Sequence, residues 1–200
     1  MAQEQSLAAL ERCVTGASAG GRRPTGKPQC RHLGQSVGQD DRKRGPRGFD
    51  GGKLVKGRKR FLLVDSLGLV LKVLVTEANI GDRDGATWLL SSLGERFPRL
   101  ELVWVDGGFS GEAFAAHIAN TCQLKIEVVK RSDDLKGFVL LPRRWVVERT
   151  FAWLGNYRRL SKDYEYSVYS SDAMIYAAMI HLMVRRLARQ RAPSAFQMAS

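Results

Sequence analysis

The order in which apolar runs change their period constrains this chain more than any other feature. "RFLLVDS" (60–66) and "LVLKVLVT" (69–76) read as two strands joined by the turn "SLG", an antiparallel hairpin. "GDRDGATWLLSSLGERF" (81–97) then takes up helical spacing, with acidic residues at its start and Asp84 as the expected N-cap. "LELVWV" (100–105) returns to strand, "SGEAFAAHIANTCQ" (110–123) to helix with Ser110 as its cap, and "KIEVVK" (125–130) to strand. Two helices close the series. One covers 142–160 with Pro142 in its first turn, and the other covers 170–190 with Ser170 or Ser171 as its cap.

Upstream, residues 14–52 are rich in Gly, Pro, Arg and Lys and read as a basic loop or arm, broken by a weak strand candidate, "CRHLGQSV" (30–37). If that segment is a strand, the chain has three antiparallel strands followed by alternating helices and strands. This is an α/β layout with a ribonuclease H-like mixed sheet and flanking helices. The alternative is a shorter doubly wound α/β domain beginning at Arg60. The expected division is a basic N-terminal segment over 1–50, a ribonuclease H-like domain over 51–190 and a tail over 191–200.

Charge narrows the partners. Lys and Arg number 32 against 20 Asp and Glu, a net +12, which favours a polyanion, nucleic acid before an anionic membrane surface. The three cysteines, Cys13, Cys30 and Cys122, have neither metal-ligand spacing nor a disulfide pattern, which fits a reducing cytoplasm. The N-terminal residues lack the basic and apolar regions of a signal peptide. "AMIYAAMIHLMV" (173–184) is too short to span a bilayer.

"LVWVDGG" places Asp106 at the mouth of an apolar strand. Such a carboxylate is either an ordinary strand-to-helix turn residue or a metal ligand at a strand end, where α/β folds place their chemistry. A ribonuclease H-like active site has acidic stations on the first strand, at the end of the fourth, and on a helix after the fifth. Asp106 occupies the second and Glu148 the third. Phosphodiester chemistry needs negative charge neutralised at the attacking and leaving oxygens. Two Mg²⁺ ions about 4 Å apart, held by Asp and Glu, can do this. On a helix Glu148 also has the ordinary option of pairing with Arg144 or Arg149. Val147, Phe151 and Leu154 put it at the margin of an apolar stripe.

"GKLVKGRKRFLLVDSLGLVLKVLVTEANIGDRDGATWLL", "LVWVDGGFSG" and "KGFVLLPRRWVVERTFAWLGNYRRLSKDYE" resemble the DDE transposases of bacterial insertion sequences (the IS4/IS5-like group) across about residues 45–188. The resemblance implies a cytoplasmic enzyme of DNA transposition. It would cut and join insertion-sequence ends and target in double-stranded DNA with Mg²⁺ (or Mn²⁺), away from membranes, and could assemble as a homo-oligomer on DNA. It matches Asp106 to the family's second catalytic aspartate, Glu148 to its catalytic glutamate, both as metal ligands, and Arg144 to an arginine of the same signature.

One station departs from the pattern. The family's first aspartate lies in a strand of the form "IDSQSV", and this chain has "HLGQSV" at 32–37, so the aspartate position falls on Leu33. Leucine cannot bind a metal. His32 is expected on the strand's opposite face and suits Mg²⁺ poorly. Asp40, Asp41 and Asp65 are the substitutes to consider. The expectation is a truncated or frame-damaged copy with impaired catalysis, the alternative being a non-catalytic DNA-binding remnant. For DNA phosphates the expected contacts are Lys56, Arg58, Lys59 and Arg60 at the hairpin entrance, with Arg144, Arg158, Arg159 and Lys162 around the Glu148 helix. Trp104, Trp145 and Trp153 are expected in the core.

Overall fold

Residue Gly57 onward in "VKGRKRFLLV" is buried on both faces, and this strand organises the rest of the chain. The computed structural model describes residues 29–39, 45–93, 96–129 and 145–191. Its strands are β1 (Gln29–Gln39), β2 (Gly48–Asp50), β3 (Val55–Val64), β4 (Val70–Glu77), β5 (Leu100–Val105) and β6 (Lys125–Val128). Its helices are α1 (Asp82–Ser91), α2 (Glu112–Cys122), α3 (Trp145–Gly155) and α4 (Val168–Arg191). The strands form one sheet in the order β3–β1–β5–β6, with β2 and β4 both on the outer edge of β3. β3 runs antiparallel to β4 and β1, whereas β1, β5 and β6 run parallel. Three antiparallel strands continued by two parallel ones, with helices on both faces, make a ribonuclease H-like fold.

The period-two alternation of β3 divides the core. Leu62 and Val64 pack with Val73, Val75, Val146, Val147 and Leu154, under Ile175 and Met179 of α4. Phe61 and Leu63 pack on the other face with Leu33, Val103 and Val105, under Leu89 and Leu90 of α1 and Ile118 of α2. Burying one such side chain contributes roughly 1.5–3 kcal/mol, so the two layers together hold the sheet.

β1 is the weak candidate of the sequence and yet lies between β3 and β5. Its few apolar side chains are compensated by ladders on both edges, so tertiary context overrides propensity. Gly34 is required there: a Cβ would sit 2.5 Å from Cγ1 of Val147, closer than atoms can approach.

Several expected boundaries are corrected. α1 ends at Ser91 and not near residue 97. Its N-cap is Gly81, and Asp84 lies within the first turn. α2 is capped by Gly111 at φ 131°, a conformation that disfavours Ser110's type of side chain, so the cap moves one residue on. α4 begins at Val168, ahead of both expected serine caps, and the Ser171 hydroxyl instead donates to Asp163 at 2.7 Å. Strand β3 begins five residues before Arg60 and draws the basic run "KGRKR" into the sheet.

That run is the largest correction. Arg58, Lys59 and Arg60 are buried and are not surface contacts for phosphate. Arg58 donates to Pro46 O (2.9 Å), Glu165 O (2.9 Å), Tyr166 O (2.6 Å) and Asp163 Oδ1 (3.3 Å). Arg60 donates to Leu160 O at 2.9 Å and Lys162 O at 3.2 Å. Lys59, on the opposite face, donates to Asp82 Oδ1 and to Ile80 O, both at 2.8 Å.

Removing one partner of a buried ion pair strands the other. Arg58→Ala should therefore cost about 3–5 kcal/mol in denaturant unfolding. A loss below 1 kcal/mol, roughly that of a surface pair, would contradict the role assigned to Arg58. A second prediction concerns Asp172 of α4. Burial pushes its carboxyl up to about 7, against the opposing effects of the Val75 N–H and Lys72. A carboxyl whose folded pKa is raised favours the folded state when protonated. That stability is complete below the ordinary value near 4 and is lost as pH rises through about 7. Asp172→Asn should flatten the fall in stability between about pH 4 and 7; parallel pH profiles for the two proteins would refute it.

Candidate active-site cleft

The C-terminal end of β5, the middle of β1 and the first turn of α3 enclose a cleft of about 70 Å³. Its lining includes His32, Leu33, Gly34 and Gln35 from β1, Trp104 and Asp106 from the end of β5, and Val147, Glu148 and Phe151 from α3. Asp106 and Glu148 thus line one cleft, although they lie 42 positions apart in the chain.

Each carboxylate is held by its own element. β5 stops at Val105, and Asp106 caps the single 3-10 turn 107–109, its Oδ1 accepting from Gly108 N at 2.9 Å. Asp106 is thus a turn residue, as one reading of "VDGG" has it, and it also lines the cleft. Glu148 is exposed, beside the buried Val147 on the margin of the apolar stripe.

β1 runs parallel to β5, with Arg31 opposite Val103 and His32 opposite Trp104. The side-chain parity differs from expectation. Leu33 lines the cleft but is only 2% exposed, pairs with Leu63 and packs in the cluster under α1 and α2. His32 pairs with Val64, whose side chain belongs to the α3 face, and its ring lies 4.9 Å from that of Trp104. His32, and not Leu33, shares the sheet face of α3.

Hard oxygen donors of the Asp and Glu type suit Mg²⁺. Among the described residues, however, no group of three His, Cys, Asp or Glu side chains is placed to hold a metal ion. Two carboxylates and a leucine do not fit a two-metal site. Of the expected substitutes, Asp65 is buried in the β3–β4 turn, its Oδ1 accepting from Leu67 N (2.9 Å) and Leu69 N (2.8 Å), with burial pushing its pKa up. Asp40, Asp41 and Arg144 lie outside the described residues. Sequence reasoning missed Asp82. An added Cβ on Gly108 would lie 3.1 Å from Asp106 Oδ1 and 3.6 Å from Asp82 Oδ2, so both carboxylates border that glycine. Asp82 is already engaged by Lys59 and by Gln35 Nε2 at 3.1 Å. Its only sequence signal is the acid-rich start "GDRD", read there as helix-start charge.

Of the remaining cations, Lys56, Arg158 and Lys162 are exposed, and Arg159 is exposed but donates to Glu165 at 2.8 Å. Trp104 and Trp153 are partly buried, whereas Trp145 is 46% exposed, which corrects its placement in the core. Among the described residues no helix is long and apolar enough to cross a membrane.

A mixed sheet of this order, with one carboxylate ending β5 and another on α3, the helix that follows β6 in the chain, belongs to the ribonuclease H-like class. Within that class, the family model described as "Transposase DDE domain" matches residues 23–183, and the chain belongs to this family. A protein of Burkholderia cepacia described as "Putative transposase for insertion sequence element IS402" is 28% identical over 116 residues, covering 54% of this chain and 54% of its own length. The chain thus spans about half the length of that relative.

The burial of Leu33 has a measurable consequence. Leu33→Asp places a carboxyl among Leu63, Val103 and Val105 and should lower stability by about 3 kcal/mol or more. Unchanged unfolding midpoints would show that position 33 opens to the cleft.

Proposed function

We propose that this chain acts on double-stranded DNA as a transposase of the DDE type, in the cytoplasm, engaging insertion-sequence ends and target, with copies assembling on the DNA. Asp106 and Glu148 are the catalytic and metal-binding carboxylates in this reading, and strand cleavage is impaired because Leu33 stands at the first aspartate's station. The observation that supports it is the convergence of Asp106 and Glu148 on one cleft whose β1 wall carries a buried leucine. In the family, divalent ions such as Mg²⁺ or Mn²⁺ supply charge neutralisation at the reacting oxygens. The chain's own residues orient: the turn at Gly108 fixes Asp106, and α3 fixes Glu148. Lys56, Arg158 and Lys162 are the exposed members of the proposed phosphate contacts, with Arg159 weakened by its own ion pair and Arg144 carried as part of the signature.

The loss of one anionic ligand removes charge stabilisation worth several kcal/mol of barrier, orders of magnitude in rate. That favours the second reading, a DNA-binding remnant that holds a duplex without cutting it. Two measurements on the full chain test both. Duplex affinity should fall steeply with salt, and the triple variant Lys56→Ala, Arg158→Ala, Lys162→Ala should flatten the log–log slope by roughly 2–3. Supercoiled DNA with Mg²⁺ should be nicked no faster than by Asp106→Ala. Rapid nicking lost in Asp106→Ala would establish an intact site and remove the claim of impairment. A salt slope unaltered by the triple variant would remove these three cations from the DNA path.

A further inference from the structure

α4 is apolar on both sides. A helix lying on a sheet normally buries one apolar stripe and turns its charges to water. α4 does bury one stripe, through Ile175, Ala178, Met179 and Met183. The opposite side carries a second. Ala173, Ala177, Ile180, Val184 and Leu187 follow at steps of four, three, four and three residues, which sets them in one row along the helix. Ala173 and Ala177 are exposed, and Ile180 (37%), Val184 (57%) and Leu187 (43%) also stand in water. The cations of this stretch sit elsewhere. Arg185 and Arg189 come seven and eleven residues after the buried Ala178 and continue its row. Arg186 turns to Trp153, 4.2 Å from the ring centre. The row from Ala173 to Leu187 therefore meets solvent without a charge of its own.

A contiguous apolar surface of this kind marks a site of association. Charge and shape say what covers it. A DNA phosphate or a charged peptide finds no counter-charge on the row, whereas a second apolar row loses nothing by meeting it. The row is also graded in size. Its first half is small, Ala173 and Ala177, and its second half is large, Val184 and Leu187, with Ile180 seven residues from either end. A copy turned end for end about Ile180 sets small against large on both sides of the centre. Two parallel copies would set alanine against alanine and leave a gap. The alanines let the helix axes approach to about 8 Å, the close end of helix packing. Two such rows bury roughly 1,000 Å² in all, the floor for a specific interface, so the pair should be weak and concentration-dependent.

We infer that two copies of this chain pair antiparallel through α4, about a two-fold axis at Ile180. The pairing supplies a surface for the assembly of copies proposed above, but it rests on α4 alone and needs no DNA.

The test uses the full chain without DNA. Sedimentation equilibrium should show a monomer–dimer equilibrium in the micromolar range. Ile180→Glu sets two carboxylates across the axis and should weaken the dimer by about tenfold or more. Its far-UV circular dichroism should be unchanged, because the side chain is already exposed in the single chain. Arg185→Glu, on the Ala178 row, should leave the dimer intact. Cross-linking with a short bismaleimide reads the direction, with linked peptides identified by mass to set aside the three native cysteines. Ile180→Cys should link to itself, and Ala173→Cys should link to Leu187→Cys in a mixture. Ala173→Cys should not link to itself, since its two copies stand about 20 Å apart along the axis. A chain that stays monomeric at about 100 μM, a dimer untouched by Ile180→Glu, or Ala173→Cys linked to itself overturns the pairing. A monomeric Ile180→Cys chain that resists maleimide overturns it too and assigns the row to another part of the same chain. Each of these results leaves the salt and nicking tests of the DNA reading as they stand.

Discussion

Arg58 is the constraint on which the rest of this molecule depends. Its guanidinium is fully buried and holds Asp163, the Glu165 and Tyr166 carbonyls and the Pro46 carbonyl at once. A charge so placed is costly unless every donor is used, and here the donors reach segments more than a hundred residues apart in sequence. The same Asp163 accepts from Ser171 of α4, so β3, the connection after α3 and the start of α4 are locked by a single network. Arg60 repeats the pattern one strand period on, through the Leu160 and Lys162 carbonyls. With the end of α3 fixed this way, its first turn is pressed onto β1 at Gly34 and Val147, and Glu148 arrives at the cleft.

The polar side of the fold follows from this. Arg58, Lys59 and Arg60 look like a polyanion site when only composition is considered, yet alternation in a strand sends 58 and 60 to one face and 59 to the other. Each face supplies acceptors: carbonyls and Asp163 on one, Asp82 and Asp50 on the other. Three of the cations counted in the net charge of +12 are thus internal to the fold. On the proposed DNA reading, the field that a phosphate would meet comes from the exposed set, Lys56, Arg158 and Lys162, so net charge alone overstates how much of it is available at any one surface.

What could be read from sequence was what local chemistry decides. The run "LELVWV" followed by Asp-Gly-Gly gave a strand with the same ends as β5, and the stripe of Val147, Phe151 and Leu154 placed Glu148 at a margin. The element order carried the fold class as well, once residues 30–37 were allowed as a strand. What could not be read was decided by partners distant in sequence. β1 has glycines and polar residues, and only its position between two ladders makes it central. The basic run gave no sign of its burial, because its acceptors lie some twenty and a hundred residues downstream. The α2 cap moved by one residue where Gly111 at positive φ displaced Ser110. The parity of β1 was also beyond reach, since motif spacing aligns Leu33 with a catalytic position but says nothing of which side of the sheet its side chain enters.

That parity bears on why a leucine is tolerated there. A carboxylate on a strand inside an apolar layer is unfavourable by several kcal/mol unless a cation or a set of donors meets it. At position 33 the neighbours are Leu63, Val103 and Val105, with none of the buried donors that hold Asp163 or Asp65. Leucine at this point adds apolar burial of roughly 1.5–3 kcal/mol and continues the layer without a break. In the proposed reading, where the cleft lacks an anionic ligand, the leucine at position 33 also stabilises the sheet that frames the cleft. On that reading stability and chemistry pull in opposite directions at one residue. A chain released from the need to cut DNA would keep Leu33 for its packing, and the cleft around Asp106 and Glu148 would persist because Arg58 and Gly34 hold α3 in place whether or not the first aspartate is present.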